Sequence, residues 1–178
     1  VILVDFRAFD TLGEIVVVAL AGLAAASLLG GGQLAEMTRK GEPEFGSVLL
    51  RQAIRPLAGL LVLVSLVLLW RGHNLPGGGF IGGLVAAVGF ILVVLTFGNY
   101  QARALMWVRP TLLVGAGIGC AVLAGVIGLL GGHDFLKGLW FFPLGLPLGT
   151  PLLFDVGVFL TVFGSMMNMM QRLAGRPV

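Results

Sequence analysis

The sequence predicts an all-α integral membrane protein with about five transmembrane helices. Of its 178 residues, 58% are hydrophobic and only 11% are charged, which is too apolar for the core and surface of a soluble domain. A helix needs about 20 apolar residues to cross a hydrocarbon layer of about 30 Å. Five segments meet that requirement, at residues 11–29, 48–70, 80–97, 111–130 and 151–170.

The first predicted helix begins beside a cluster of charged residues. Asp5, Arg7, Asp10 and Glu14 place four charges within ten positions of a chain that has few others. Thr11 as N-cap, with Glu14 three residues later, fits a capping box, and acids are favourable at a helix N-terminus. An acid within a membrane segment is also a candidate ligand for a cation or a proton. Both interpretations of Glu14 stay open at this point.

A polar stretch at residues 31–47 separates the first predicted helix from the rest. It predicts a division into a segment at 1–30 with one transmembrane helix and a domain at 48–178 with four. The chain starts with four apolar residues and no methionine, so we expect residues 1–30 to continue a longer polypeptide. In the second helix Arg51 and Arg55 lie one turn apart, and snorkelling to the interface is their simplest interpretation.

Residues 71–80, Arg-Gly-His-Asn-Leu-Pro-Gly-Gly-Gly-Phe, form a predicted tight turn between the second and third helices. Pro76 fixes its own backbone, and Gly77, Gly78 and Gly79 can adopt dihedral angles closed to other residues. The side chain of histidine is suited to proton transfer in general, although a single histidine in a turn, such as His73, is usually solvated. The pattern predicts a packing or pathway element and not a simple linker.

Small residues recur four positions apart where the glycine turn enters the third predicted helix and within the fourth predicted helix. This spacing lets helix backbones approach closely in a membrane, so it predicts tight helix association. The pairs are Gly78 with Gly82, Gly79 with Gly83, Gly115 with Gly119, and Ala121 with Gly125.

The last predicted helix has one acid, Asp155. Thr150 as N-cap and Pro151 at the first helical position place Asp155 near the start of the helix, about 6 Å along its axis. There it could be an anchor stabilised by the helix dipole or a relay for cations. The residues alone favour neither interpretation.

The basic residues predict the orientation of the helices. Lysine and arginine resist translocation, so the membrane side with more of them is the cytoplasmic one. Eight lie on one side and three on the other, which predicts an external N-terminus and a cytoplasmic C-terminus. The eight are Arg39, Lys40, Arg51, Arg55, Arg103, Arg109, Arg172 and Arg176, and the three are Arg7, Arg71 and Lys137.

Several function classes find no support in the sequence. Its basic residues are scattered at the ends of apolar runs, which argues against nucleic-acid binding. One cysteine, Cys120, excludes a disulfide framework and a cysteine-based metal site. We found no acid–base pair for hydrolysis and no phosphate loop, and we expect neither a cofactor nor autonomous enzymatic activity.

Two signatures resemble one family. Residues 3–14, Leu-Val-Asp-Phe-Arg-Ala-Phe-Asp-Thr-Leu-Gly-Glu, resemble a signature near the C-terminal end of the large A subunit of Mrp-type multisubunit cation/proton antiporters. Residues 48–97, with the run Pro-Gly-Gly-Gly-Phe-Ile-Gly-Gly at 76–83, and residues 150–157 resemble the B subunit, or MnhB-like domain. Their order resembles a fused A/B chain. Ala8 departs from the first signature, which usually has glycine there.

The resemblance implies a non-enzymatic component of a hetero-oligomeric complex in the bacterial cytoplasmic membrane. This component would help to form the Na⁺ pathway and join other subunits while Na⁺ is expelled in exchange for protons. Glu14 becomes the leading ligand for transient Na⁺, with Asp5 and Asp10 as nearby acids and Arg7 as their countercharge. Asp155 joins the same pathway. The resemblance also implies a functional turn in which changes at Pro76 and Phe80 in particular should impair transport. The turn residues are His73, Pro76, Gly77, Gly78, Gly79 and Phe80.

Two other functions remain open beside that of an antiporter component. One is a purely structural scaffold between larger subunits. The other is the equivalent membrane module of a membrane-bound hydrogenase complex, in which similar modules occur.

Overall fold

Five helices account for most of the described structure. The computed structural model describes residues 11–22, 24, 48–72, 77–104, 108–132, 135–136, 138–141 and 148–173. The helices are α1 (Thr11–Gly22), α2 (Val48–Arg71), α3 (Gly79–Ala104), α4 (Pro110–Leu130) and α5 (Thr150–Leu173). The predicted segments after residue 47 each coincide with one helix, which confirms the all-α class. The predicted first helix is confirmed for 11–22, and most of its remainder lies outside the described residues.

Helices α2 to α5 are each long and apolar enough to cross a membrane. The protein is therefore a multi-pass membrane protein. The helices differ in how much of their apolar span is buried inside the chain. The buried share is 50% for α5 and only 17% for α2. The described part of the chain thus has α5 at its centre and α2 at its edge.

Packing around α5 sets the architecture. Helix α4 packs against one side of α5 and α3 against another, while α2 packs mainly against α3. Helix α1 joins the core formed by α4 and α5 through Ile15, which is 1% exposed. The core residues around it are Ala121, Ala124, Leu136, Phe154, Val158 and Val162.

The closest approach of α4 and α5 is made by glycine. A Cβ atom at Gly157 would lie 2.6 Å from the Gly117 carbonyl oxygen, and one at Gly117 would lie 2.6 Å from the Gly157 carbonyl oxygen. The prediction that Gly115 and Gly119 make a close helix contact is wrong for packing within the described chain. A Cβ atom at either position would meet nothing within 4 Å. Gly117 faces α5, so those two glycines lie on the outer surface of α4.

Replacing Gly117 with alanine is expected to destabilise the chain by about 1–3 kcal/mol, because the added methyl group must push α4 away from α5. The matched control is Gly115→Ala, which adds the same methyl group to open space on the same helix. Thermal unfolding of the two purified variants in detergent measures the difference. Equal midpoints for the two variants would contradict the crossing described here.

The connection between α4 and α5 contains a two-residue strand pair that the sequence did not predict. Strand β1 (Trp140–Phe141) is antiparallel to β2 (Leu148–Gly149). At the start of α5 the Thr150 amide donates to the Leu139 carbonyl at 3.0 Å, and the Leu139 amide donates to Thr150 Oγ1 at 3.0 Å. These bonds fix the start of α5 and hence the position of Asp155.

Candidate functional site

The turn between α2 and α3 closes through backbone hydrogen bonds. The Gly72 amide donates to the Leu69 carbonyl at 3.3 Å, and the Gly78 amide donates to the Leu68 carbonyl at 3.1 Å. Gly77 and Gly78 have φ angles of 155° and 110°, a region that side chains disfavour. The predicted requirement for glycine is therefore confirmed at these two positions. His73 and Pro76 lie outside the described residues.

The same turn presses against α5. A Cβ atom at Gly79 would overlap the Asp155 carbonyl oxygen and lie 2.9 Å from the Phe159 nitrogen. A Cβ at Gly83 would lie 3.0 Å from the Phe159 carbonyl oxygen and from Val162 Cβ. Gly79 and Gly83 thus make the close helix approach that their spacing predicts.

Asp155 meets this turn. Its Oδ1 accepts a hydrogen bond from the Gly79 amide at 3.3 Å, although 76 positions separate the two residues. The other oxygen, Oδ2, would lie 3.3 Å from a Cβ at Gly72. Asp155 is half-buried. The carboxylate therefore lies between the end of α2 and the start of α3.

Asp155 occupies a favourable electrostatic position for a negative charge. It lies near the N-terminus of its own helix, as expected, and also at the N-terminus of α3, where free amides and the helix dipole stabilise anions. Its hydrogen bond from the Gly79 amide, at 3.3 Å, is slightly longer than the range of about 2.7–3.2 Å that is usual for N–H···O bonds. The arrangement can stabilise an ionised carboxylate and hold the turn on α5.

Aromatic side chains follow the Asp155 site along α3 and α5. Phe80 is half-buried and packs on the main core. Phe159 stacks on Phe163 with centroids 6.2 Å apart, and Phe90 meets Phe163 edge-on at 6.4 Å. Phe159, Phe163 and Phe90 therefore form an apolar row between α3 and α5, on the C-terminal side of Asp155 along α5.

Glu14 lies on α1 and is exposed, whereas its neighbour Ile15 is buried. Asp5, Arg7 and Asp10 lie outside the described residues. The structure thus brings Asp155 to the glycine turn and leaves the grouping of acids around Glu14 as a prediction. Among the described residues, no group of three or more histidines, cysteines or acids could hold a metal ion.

Buried hydroxyl groups in the helices mostly bond to their own backbone. Ser65 donates to the Val62 carbonyl at 2.7 Å, Thr96 to Leu92 at 2.8 Å, and Thr161 to Gly157 at 2.9 Å. Such bonds within a helix satisfy the hydroxyl group locally. These residues therefore do not mark a further ligand site.

Comparisons with known proteins agree with this architecture. Residues 49–168 match a family described as a domain related to the MnhB subunit of Na⁺/H⁺ antiporters, and residues 1–36 match one described as the E subunit of MBH. The B subunit of the Na⁺/H⁺ antiporter of Bacillus subtilis (strain 168) is 34% identical over 137 residues, covering 74% of this chain and 96% of that protein.

Two longer proteins match nearly the whole chain. The probable A/B subunit of the K⁺/H⁺ antiporter of Rhizobium meliloti (strain 1021) is 30% identical, over 100% of this chain but 20% of that protein. A chain in the structure of the Mrp complex from Dietzia sp. DQ12-45-1b is 35% identical with a TM-score of 0.81. That match covers 98% of this chain and 20% of the other. This chain therefore spans about a fifth of each of these two proteins.

Proposed function

The chain belongs to the family of domains related to the MnhB subunit of Na⁺/H⁺ antiporters, and from this premise we propose that it is a membrane component of a multisubunit cation/proton antiporter. In that complex it helps to form the cation pathway and joins neighbouring subunits while Na⁺ leaves in exchange for protons. The observation that carries the proposal is the family match across residues 49–168, which contain both the glycine turn and Asp155.

We also propose a division of the chain into two parts joined by a linker. Residues 1–30 form a segment like the tail of an A subunit, 31–47 a polar linker, and 48–178 an MnhB-like domain. The A/B-subunit relative, which matches 100% of this chain, supports the A-like segment. The match at 49–168 and the B-subunit relative, which is covered almost fully by part of this chain, support the MnhB-like domain. Partners in the complex are other antiporter subunits.

The proposed orientation places the N-terminus outside and the C-terminus in the cytoplasm of a bacterial cell, with the chain in the cytoplasmic membrane. The excess of lysine and arginine at one set of helix ends supports it. The Asp155 site and the glycine turn then lie toward the external surface, and so does Glu14. Cations would leave, and protons enter, at that surface.

Glu14 and Asp155 are the acids that we propose for the cation and proton pathway, together with Asp5 and Asp10 and the countercharge of Arg7. The turn from His73 to Phe80 borders this pathway. Asp155 is half-buried and accepts a hydrogen bond from the Gly79 amide, and Glu14 is exposed on the surface of the described chain, where a neighbouring subunit can complete its surroundings. Ionisable groups inside a membrane are costly, which favours a functional role for them.

Glutamine in place of Glu14 tests the pathway, because it removes the charge and keeps the shape. In inverted membrane vesicles containing the whole complex, we expect Glu14→Gln to slow Na⁺-dependent and K⁺-dependent proton exchange at least about tenfold, which corresponds to a transport barrier higher by about 1.4 kcal/mol or more. Native gels must show an assembled complex. Wild-type exchange by an assembled Glu14→Gln complex would leave Glu14 with a capping role only.

A second function is supported by the match of residues 1–36 to the E subunit of MBH. In that case the chain would be the equivalent membrane module of a membrane-bound hydrogenase complex. The two functions differ in what copurifies with the chain. Antiporter subunits alone would support the antiporter, whereas a copurifying redox subunit with an iron–sulfur absorbance would support the module.

A further inference from the structure

Arg51 and Arg55 lie on one open face of α2. Positions 51, 55, 59, 62 and 66 fall within about 80° of the helix circumference at about 100° per residue. All five are exposed: Arg51, Arg55, Gly59, Val62 and Leu66, which we call the arginine stripe. The stripe has two positive charges at one end and an apolar surface along the rest.

Arg55 is held beside the seam between α2 and α3. Its guanidinium carbon lies 5.2 Å from the centroid of the Phe97 ring, a cation–π contact between the two helices. Phe97 itself packs on the cluster of Ile54, Val93 and Val94. A cation–π contact uses none of the N–H hydrogen-bond donors of the guanidinium group on an acceptor oxygen, and within the described ranges neither Arg51 nor Arg55 has an ion-pair partner.

The middle of the stripe is indented. A Cβ atom at Gly59 would meet nothing within 4 Å, so the helix backbone is open there. Val62 is 46% exposed and Leu66 is 50% exposed, and both follow Gly59 toward the middle of the helix. This surface can accommodate a flexible hydrocarbon chain against the helix.

The dimensions of the stripe match one membrane leaflet. From Arg55 to Leu66 the helix rises about 16 Å, and half of a hydrocarbon core is about 15 Å thick. Guanidinium groups bind phosphate oxygens in bidentate geometry, and basic sites between transmembrane helices bind anionic lipid headgroups. Charge and length therefore favour the same occupant.

We propose that the arginine stripe binds one anionic phospholipid, with its phosphate on Arg51 and Arg55 and an acyl chain along Gly59, Val62 and Leu66. The lipid fills the α2 face that the rest of the described chain leaves uncovered. Its negative charge also offsets part of the positive charge of the two arginines at the membrane boundary.

The test uses the complete complex, purified in mild detergent, depleted of lipid and checked for assembly on a native gel. It is incubated with phosphatidylglycerol or phosphatidylcholine of identical acyl chains, and native mass spectrometry counts the bound lipids. The variants are R51Q/R55Q, G59L and, as a matched control, R109Q, which removes an exposed arginine from the start of α4 on the same membrane side.

We expect R51Q/R55Q to weaken binding of one phosphatidylglycerol about 30-fold, as two basic groups near an anionic lipid predict. R109Q should bind it like the wild type, and G59L should lose it with both arginines present. Equal retention of phosphatidylcholine, or unchanged binding in R51Q/R55Q or in G59L, would overturn the proposal. The proposal would also be overturned if excess inorganic phosphate displaced the bound lipid. The same holds if a cross-linker placed at position 62 reacted with another subunit and not with lipid.

Discussion

Replacing Gly79 with alanine is expected to prevent stable assembly of the protein. The new methyl group would overlap the Asp155 carbonyl oxygen, and that oxygen belongs to the backbone of the central helix, so no side chain can rotate away. Overpacking of this kind costs about 1–3 kcal/mol or more, and rigid backbone on both sides places Gly79 at the upper end. The measurement is the amount of intact complex on a native gel after membrane extraction.

Gly119→Ala is the matched control for Gly79→Ala. It makes the same chemical change in a transmembrane helix, where a Cβ would meet nothing within 4 Å. We expect the control to leave the amount of complex close to that of the wild type, since surface substitutions usually change stability by less than about 0.5 kcal/mol. If Gly79→Ala assembled as well as Gly119→Ala, the packing of the turn on α5 described here would be wrong.

The transmembrane helices could be predicted because the bilayer fixes their length. Continuous apolar runs identified every helix from residue 48 onward in the described chain, and the glycine run at 77–79 located the reversal between α2 and α3. Both signals are local, since they depend on hydropathy and backbone freedom and not on neighbouring helices.

Which glycines make contacts could not be predicted from spacing alone. Helix α4 has small residues on every side, including Gly115, Gly117, Gly119 and Ala121, so a four-residue spacing can be drawn on several faces. Only packing against α5 selects the face with Gly117 and Ala121 and leaves Gly115 and Gly119 outside. An apolar helix in a membrane lacks the polar face that would reveal its orientation.

The meeting of Asp155 with the glycine turn was also beyond local prediction. The sequence identified the acid and the turn separately, each with a structural and a pathway interpretation. Their contact depends on how α5 packs against α3, a tertiary arrangement that joins residues 76 positions apart. Asp155 thereby stabilises the start of a helix other than its own, which N-terminal sequence patterns do not encode.

Asp155 is the residue at which structural and transport roles can be separated most sharply. Asp155→Ala removes both oxygens and leaves the Gly79 amide without this acceptor in a buried turn, at a cost of about 1–3 kcal/mol. It also removes a negative charge from the N-terminus of α3. We expect little assembled Asp155→Ala complex and no measurable exchange of cations for protons in vesicles.

Asp155→Asn separates the two roles, because its side-chain oxygen can still accept from the Gly79 amide while the negative charge is lost. We expect this variant to assemble near the wild-type level and to exchange cations for protons at least about tenfold more slowly, which corresponds to about 1.4 kcal/mol in the barrier. Native gels and vesicle transport on the same membranes measure both effects. Normal exchange by Asp155→Asn, together with failed assembly of Asp155→Ala, would make Asp155 a structural latch, because the hydrogen bond and not the charge would then be what the protein needs.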